Sequence, residues 1–321
     1  MRKILGYTAY IIVQILFIPF GIIGAIIIYY KQMYVSKKLG VSSTAIEIIN
    51  GRWIMDKFGL KKDSATVKLF NVLPNTTAIG QWFVLFPLYV LKIIAGENLI
   101  YPTFKEAPDA TLANLVTSRT VFFDNILKKS LENSEQFVVM GAGLDTRCYG
   151  NLIKDNFKLY ELDKKQIQEL KRTYLQKANI DTSNVHFVDV DFSSEKWHKK
   201  LTAAGYDKNK VTTFLWEGVT LYLSEKDVRK TLSEIQQDAA TGSTIVADFY
   251  SMDFVKGKLV PGKKALEITG EELQFGIDFE GNSSKELESL IESANMKLGQ
   301  VYFMGAKTKK GTWMAVSEIL I

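Results

Sequence analysis

The sequence predicts an α/β protein: a mostly parallel, doubly wound sheet, preceded by an N-terminal helical region that opens with a membrane-spanning helix. Three observations predict it. Short apolar strands alternate with amphipathic helices from about residue 111 to the end. An uncharged apolar run from Ile4 to Tyr30 opens the chain. The ends of the first four strands carry glycines or acids, and strand ends are where such sheets bind ligands.

The opening run has Gln14 as its only strongly polar member. A helix rises about 1.5 Å per residue and a bilayer core is about 30 Å thick, so roughly 20 residues suffice to cross. Pro19 and Gly21 can bend the run, but each half alone is too short to span. The run is too long for a signal peptide, and no small-x-small cleavage site follows it. Residues 1–31 are therefore expected to be a retained, single-pass anchor. Arg2 and Lys3 on one flank nearly balance Lys31, Lys37 and Lys38 on the other, so flanking charge leaves the orientation open. Residues 1–100 carry 11 Lys/Arg against 4 Asp/Glu, whereas the rest carries 29 against 31. The positive excess sits beside the most apolar stretch, which points to a membrane surface rather than nucleic acid.

Residues 32–108 read as a helical region, interfacial or lid-forming. Within it Trp82–Ala95 is about 14 residues with Lys92 inside, short for a span. Trp82, Phe83, Phe86 and Tyr89 would make an aromatic face. The single cysteine, Cys148, excludes an intramolecular disulfide and reads as a small buried apolar residue. His186 and His198 lack zinc-type spacing, so no metal is expected.

From 109 to 321 the elements follow in order. A helix is expected over Thr111–Leu131, then a strand Gln136–Met140 ending in Gly141-Ala142-Gly143. A second strand, Lys158–Leu162, leads to Asp163 and a helix over Lys164–Ala178. A third, Val185–Val190, leads to Asp191, with a helix from about Ser194 to Ala204. A fourth, Thr212–Trp216, ends in Glu217-Gly218. Ser224 caps the next helix with Asp227 as the capping-box acid. A fifth strand, Thr244–Phe249, contains Asp248. A helix over Ser284–Ala294 precedes strands near Leu298–Met304 and Thr312–Ile319, seven strands in all.

The strand-end residues suggest a nucleoside ligand. Glycines at 141 and 143 let backbone approach it closely. Asp163 stands 22 residues after Gly141, the spacing at which a carboxylate meets ribose hydroxyls. Asp191 could accept from an adenine amino group. A dinucleotide fingerprint needs a third glycine where Thr146 stands. S-adenosylmethionine has no pyrophosphate, needs less glycine and still wants acids, so it fits better.

Five segments then resemble one family: Ser118-Arg119-Thr120-Val121-Phe122-Phe123-Asp124, Val139 to Arg147 (VMGAGLDTR), Glu161-Leu162-Asp163, Val190-Asp191-Phe192, and Trp216 to Leu223 (WEGVTLYL). The chain resembles the leucine carboxyl methyltransferase-like family, nearest its bacterial branch of S-adenosylmethionine-dependent O-methyltransferases. The resemblance is clear over about residues 110–250. It implies a seven-stranded Rossmann-like methyltransferase sheet with the last strand antiparallel. It implies that Arg119 pairs with the cofactor's carboxylate, that Gly141, Ala142 and Gly143 line its methionine part, and that Asp163 holds the ribose. Asp191 and Phe192 would contact the adenine, and Glu217 the cofactor amine or the reacting end. The anchor and residues 31–96 depart from the family pattern, as does Cys148-Tyr149-Gly150 where Ala-Tyr-Arg is frequent.

The resulting expectation is a membrane-anchored methyltransferase acting on an oxygen of a lipophilic small molecule, with its catalytic domain cytoplasmic. A carboxylate acceptor needs no base, whereas a hydroxyl wants one, for which Tyr222 is the best-placed candidate. The alternative is a membrane-bound scaffold that keeps the cofactor fold without catalysis.

Overall fold

The computed structural model describes residues 1–153, 157–192, 196–257, 270, 272–279 and 284–321. Helix α1 (Arg2–Tyr30) continues through a π turn at Lys31–Val35 and a short helix at Ser36–Leu39, which Gly40 ends in the left-handed region. Helix α2 (Ser43–Lys57) starts where the Ser42 hydroxyl accepts from the Thr44 and Ala45 amides. Helix α3 (Ser64–Val72) is capped by Asp63 in the same way, and α4 (Ala78–Ala95) by Thr77. These side chains satisfy amides that lack intrahelical partners.

The sheet is built from β1 (Gln136–Met140), β2 (Lys158–Asp163), β3 (Val185–Asp189), β4 (Thr212–Trp216), β5 (Thr244–Tyr250), β6 (Lys297–Met304) and β7 (Met314–Leu320). Their order is β3-β2-β1-β4-β5-β7-β6, with β1 to β5 parallel and β7 antiparallel to both neighbours. Alternation along β1 shows how the two faces form. Val138 and Met140 join a core beneath α7 (Trp197–Ala203), α8 (Glu225–Asp238) and α9 (Lys285–Glu292). Phe137 and Val139 face the core of α5 (Leu115–Glu132). The chain reverses between β1 and β4, opening the crevice where ligands bind in such sheets.

The expected elements agree closely, with small shifts at their ends. The helix expected from Thr111 begins at Leu115, because residues 112–114 form a 3₁₀ turn in which the Thr111 hydroxyl donates to Asn114. The expected start of α7 at Ser194 lies outside the described residues; the helix is present from Trp197, with Lys196 as its N-cap. At α8 Ser224 accepts from the Asp227 amide as expected, and its hydroxyl donates to the Asp227 carboxylate.

The larger difference concerns α1 and α4. The apolar stretch expected as 14 residues is an 18-residue helix, and it runs antiparallel along α1. Gly6 lies against Leu91 and Ala95, and Gly24 against Gly80 and Phe83. A Cβ at Gly24 would stand 2.6 Å from the Gly80 carbonyl, so glycine is what permits this approach. The expected single aromatic face is split between two neighbours. Phe83 and Phe86 meet Phe20 and Phe17 of α1. Trp82 and Tyr89, seven residues apart and so on one side of the helix, meet Trp53 of α2 and the adjoining Phe58. Helices α2 and α3 in turn share a core with Leu144 after β1 and Leu175 of α6 (Lys165–Lys177).

Candidate active site

Strand ends bring the expected ligand residues into one crevice. After β1, Gly141 and Gly143 both adopt positive φ (66° and 42°), and a Cβ at Gly141 would lie 2.5 Å from Val219. The turn is pinned to β2: the Ala142 amide donates to the Leu162 carbonyl at 2.9 Å, and the Gly143 amide donates to Asp163 at 2.6 Å. Asp163 also accepts from the Lys164 amide at 2.7 Å. Burial pushes its carboxyl up, and these amides oppose the rise. Beneath the turn, Lys171 and Glu161 form a fully buried ion pair of 2.6 Å, and the ammonium also donates to the Ala142 carbonyl.

One strand further, Asp191 faces Lys164 at 3.5 Å, and Phe192 is buried against Trp197. On the other side of β1, Glu217 shares its oxygens between Arg119 (3.3 Å) and Arg147 (2.5 Å). Gly218 again has positive φ (70°), and a Cβ there would sit 2.8 Å from the Arg119 guanidinium. Arg119 pairs with Asp248 at 2.9 Å. Its Nε is buried without a hydrogen-bond partner, so one donor of the fork is left for an acceptor. Tyr222 closes the 3₁₀ turn after β4, its hydroxyl 2.9 Å from that of Thr44 on α2.

Sequence reasoning named these residues but missed the network that joins them. Arg147 bonds Asp124 (2.9 Å), Asp145 (2.5 Å) and Glu217. Arg52 of α2 bridges Asp63 (2.9 Å) and Asp145 (3.0 Å), and Lys61 pairs with Asp124. Burial pushes the Asp145 carboxyl up, but Arg147 and Arg52 more than offset this and hold it far below the usual carboxylate range. The signals available were the Asp-Thr-Arg triplet after the glycines and the acid in β5. For Arg52 there was none, since it lies 93 residues before Asp145. His186 stacks on Tyr160 and His198 bonds Asp238, both away from the crevice, and Cys148 is buried.

Asp248 supplies a pH-dependent prediction. Burial pushes its carboxyl up to about 6 from 3.8. The folded state therefore holds this proton more tightly than the unfolded chain. The associated stabilisation is complete below about pH 4 and is lost as pH rises through about 6. Two units correspond to roughly 3 kcal/mol. Across pH 4 to 7 the wild type should lose stability relative to Asp248→Asn by about 1–3 kcal/mol. Thermal unfolding of both chains at several pH values in that window reads this out, and a pH-independent difference would remove the assignment.

The crevice fits S-adenosylmethionine on three structural grounds: the glycine turn where side chains would collide, the Asp163 carboxylate at the end of β2 beside that turn, and the unpartnered Nε of Arg119. The network adds a fourth. Four cations (Arg52, Lys61, Arg119, Arg147) face five carboxylates (Asp63, Asp124, Asp145, Glu217, Asp248), a balance that favours a ligand of net positive charge.

The family described as leucine carboxyl methyltransferase matches residues 95–236. The chain is 26% identical over 187 residues to "Putative S-adenosyl-L-methionine-dependent methyltransferase YktD" of Bacillus subtilis, covering 56% of this chain and 60% of that one. It is 29% identical over 249 residues to a Mycolicibacterium smegmatis protein of the same description, covering 75% and 76%. The chain spans less than two thirds of the length of several of these relatives, as with YktD. A solved structure of a DUF574-family protein from Streptomyces avermitilis is similar at TM-score 0.49 and 10% identity, over 65% of this chain and 84% of that one. The motifs at the strand ends fall inside residues 95–236, the stretch over which the chain is similar to the leucine carboxyl methyltransferase family.

Proposed function

We propose that this chain is an S-adenosylmethionine-dependent methyltransferase, held at a membrane by its apolar N-terminal helix, that O-methylates a carboxylate or hydroxyl of a lipophilic small molecule. The observation that carries the reading is the crevice itself: a glycine turn bonded to Asp163 and an arginine fork with one donor unspent. Gly141, Ala142, Gly143 and Arg119 would hold the methionine part, Asp163 the ribose, and Asp191 and Phe192 the adenine. Glu217 would meet the amine. The cofactor supplies a sulfonium-bound methyl group for in-line transfer. The protein's part is to orient the acceptor, which can supply about 7–11 kcal/mol for well-aligned reactants. Tyr222 would face the acceptor, its hydroxyl oriented by Thr44.

The lipophilic acceptor is supported by adjacency. Helix α2 gives Thr44 and Arg52 to the crevice, and its next residue, Trp53, packs on α4 of the apolar pair. Residues 32–108 are thus proposed as the layer between membrane and crevice, with residues 1–31 as anchor and 109–321 as the cytoplasmic catalytic domain.

Labelled S-adenosylmethionine fed to membranes containing the protein, followed by mass spectrometry, tests the reaction. A base-labile labelled methyl marks a carboxylate acceptor and a base-stable one a hydroxyl. Failure of titration calorimetry to detect either S-adenosylmethionine or its demethylated product would leave only the scaffold. Removal of residues 1–30 should release the protein from membranes. Equal turnover of a water-soluble acceptor by that truncated form would defeat the lipophilic reading.

Arg119→Lys is expected to weaken cofactor binding at least tenfold although charge is kept. An ammonium cannot keep the Asp248 and Glu217 pairs and also place a donor where Nε stands, and a hydrogen bond to a charged group is worth about 1.5–3 kcal/mol. Wild-type affinity in this variant would place the cofactor carboxylate elsewhere.

A further inference from the structure

Helix α1 is apolar on all sides, yet both of its ends are tied to the folded body. At its start Lys3 pairs with Glu97 at 2.7 Å, and the adjoining Asn98 donates to the Phe58 carbonyl at the end of α2. At its finish Lys31 donates to the Pro74 and Thr76 carbonyls, just before α4. Between the ends, α1 lies along α4 through the glycine contacts, and α4 lies on Trp53 and Phe58 through Trp82 and Tyr89. A spanning helix needs its ends on opposite sides of the bilayer, and one whose ends both meet the same body cannot satisfy that while docked.

We infer that α1 is a monotopic anchor. It lies in the plane of one leaflet with its outer face among acyl chains, and the body and both helix ends stay on one side of the membrane. This rests on the membrane reading above and replaces the single span expected from sequence with an in-plane helix. The occupant of the outer face is lipid, for three reasons. Ile4, Ile12, Ile15, Leu16, Ile22 and Ile26 are each more than half exposed, so the bare strip runs the whole length of the helix. Tyr29, Tyr30 and Tyr34 cluster where it ends, rings with polar tips suited to the headgroup depth. Exposed Lys37 and Lys38 follow at once, in a region of net positive charge that complements an anionic leaflet.

The test uses the full chain with Arg2→Cys or Lys38→Cys, the native Cys148 being buried. A membrane-impermeant maleimide is added to sealed right-side-out cells and to inverted vesicles. Both positions should label in inverted vesicles and neither in sealed cells. Labelling of Arg2→Cys from outside, with Lys38→Cys reached only from inside, establishes a span and overturns the proposal while leaving the membrane reading intact. Depth quenching of a fluorophore at Ile4→Cys, Ile15→Cys and Ile26→Cys should give one common depth. A span would instead set Ile15 deeper than the ends by on the order of 15 Å. Full recovery in the soluble fraction after a salt wash defeats the membrane reading and this proposal together. A soluble dimer cross-linked through Ile15→Cys would name a second copy as the occupant and overturn it as well.

Discussion

Replacing Arg147 by Met should cost about 3–5 kcal/mol of folding stability, the range for removing one partner of a buried ion pair. The guanidinium is 2% exposed, lies over the Phe123 ring at 5.7 Å, and holds three carboxylates together. Without it Asp124 keeps Lys61, Asp145 keeps Arg52 and Glu217 keeps Arg119, but each loses its shared partner and the cluster turns strongly negative. Domains are typically stable by only 5–15 kcal/mol, so the variant should be recovered poorly and unfold early. Adding Asp124→Asn should restore part of the loss, because one of the stranded charges disappears. Thermal unfolding of the two single variants and the double variant measures this coupling. A single-variant loss below about 1 kcal/mol would mean that the network does not brace the fold.

Asp163→Ala is expected to weaken S-adenosylmethionine binding by roughly 10- to 100-fold or more. Each hydrogen bond to a charged group is worth about 1.5–3 kcal/mol, and a tenfold change is about 1.4 kcal/mol. The structure adds a second route to the same loss, since this carboxylate also holds the Gly143 amide at 2.6 Å. The two routes separate with Asp163→Asn, whose carbonyl can still accept from Gly143 while its amide cannot accept from a second hydroxyl. An Asn variant as weak as Ala assigns the effect to the ribose. One that binds like wild type assigns it to the turn. Calorimetric titration of both reads the difference, and unchanged affinity in Ala removes Asp163 from the site.

The legible part of the site was the part written in short, contiguous stretches. Gly141 to Asp145, Asp163, Asp191 and Glu217-Gly218 each stand at or just past the carboxyl end of a strand, so their meeting at one edge is a consequence of parallel winding. Tyr222 was legible as a neighbour of β4, but its contact with Thr44 joins residues 178 apart. Arg52 and Lys61 gave no signal at all. Arg52 sits in a helix whose periodicity speaks of packing and Lys61 in the loop after it, and whether such a buried cation faces an acid depends on how two separately coded units dock.

The sequence by itself determined the mostly parallel winding, the glycine turn, the acids at strand ends and an apolar N-terminal helix, because these follow from periodicity, backbone freedom and apolar content. What only the tertiary structure decided is how that helix is used. Its partner α4, its glycine seam and the polar ties at both ends arise from residues up to 94 positions apart, as Lys3 and Glu97 show. Hydropathy registers that a helix seeks an apolar neighbour. Which protein neighbour it finds is set by close approach at Gly6 and Gly24, a short-range packing effect that composition does not encode.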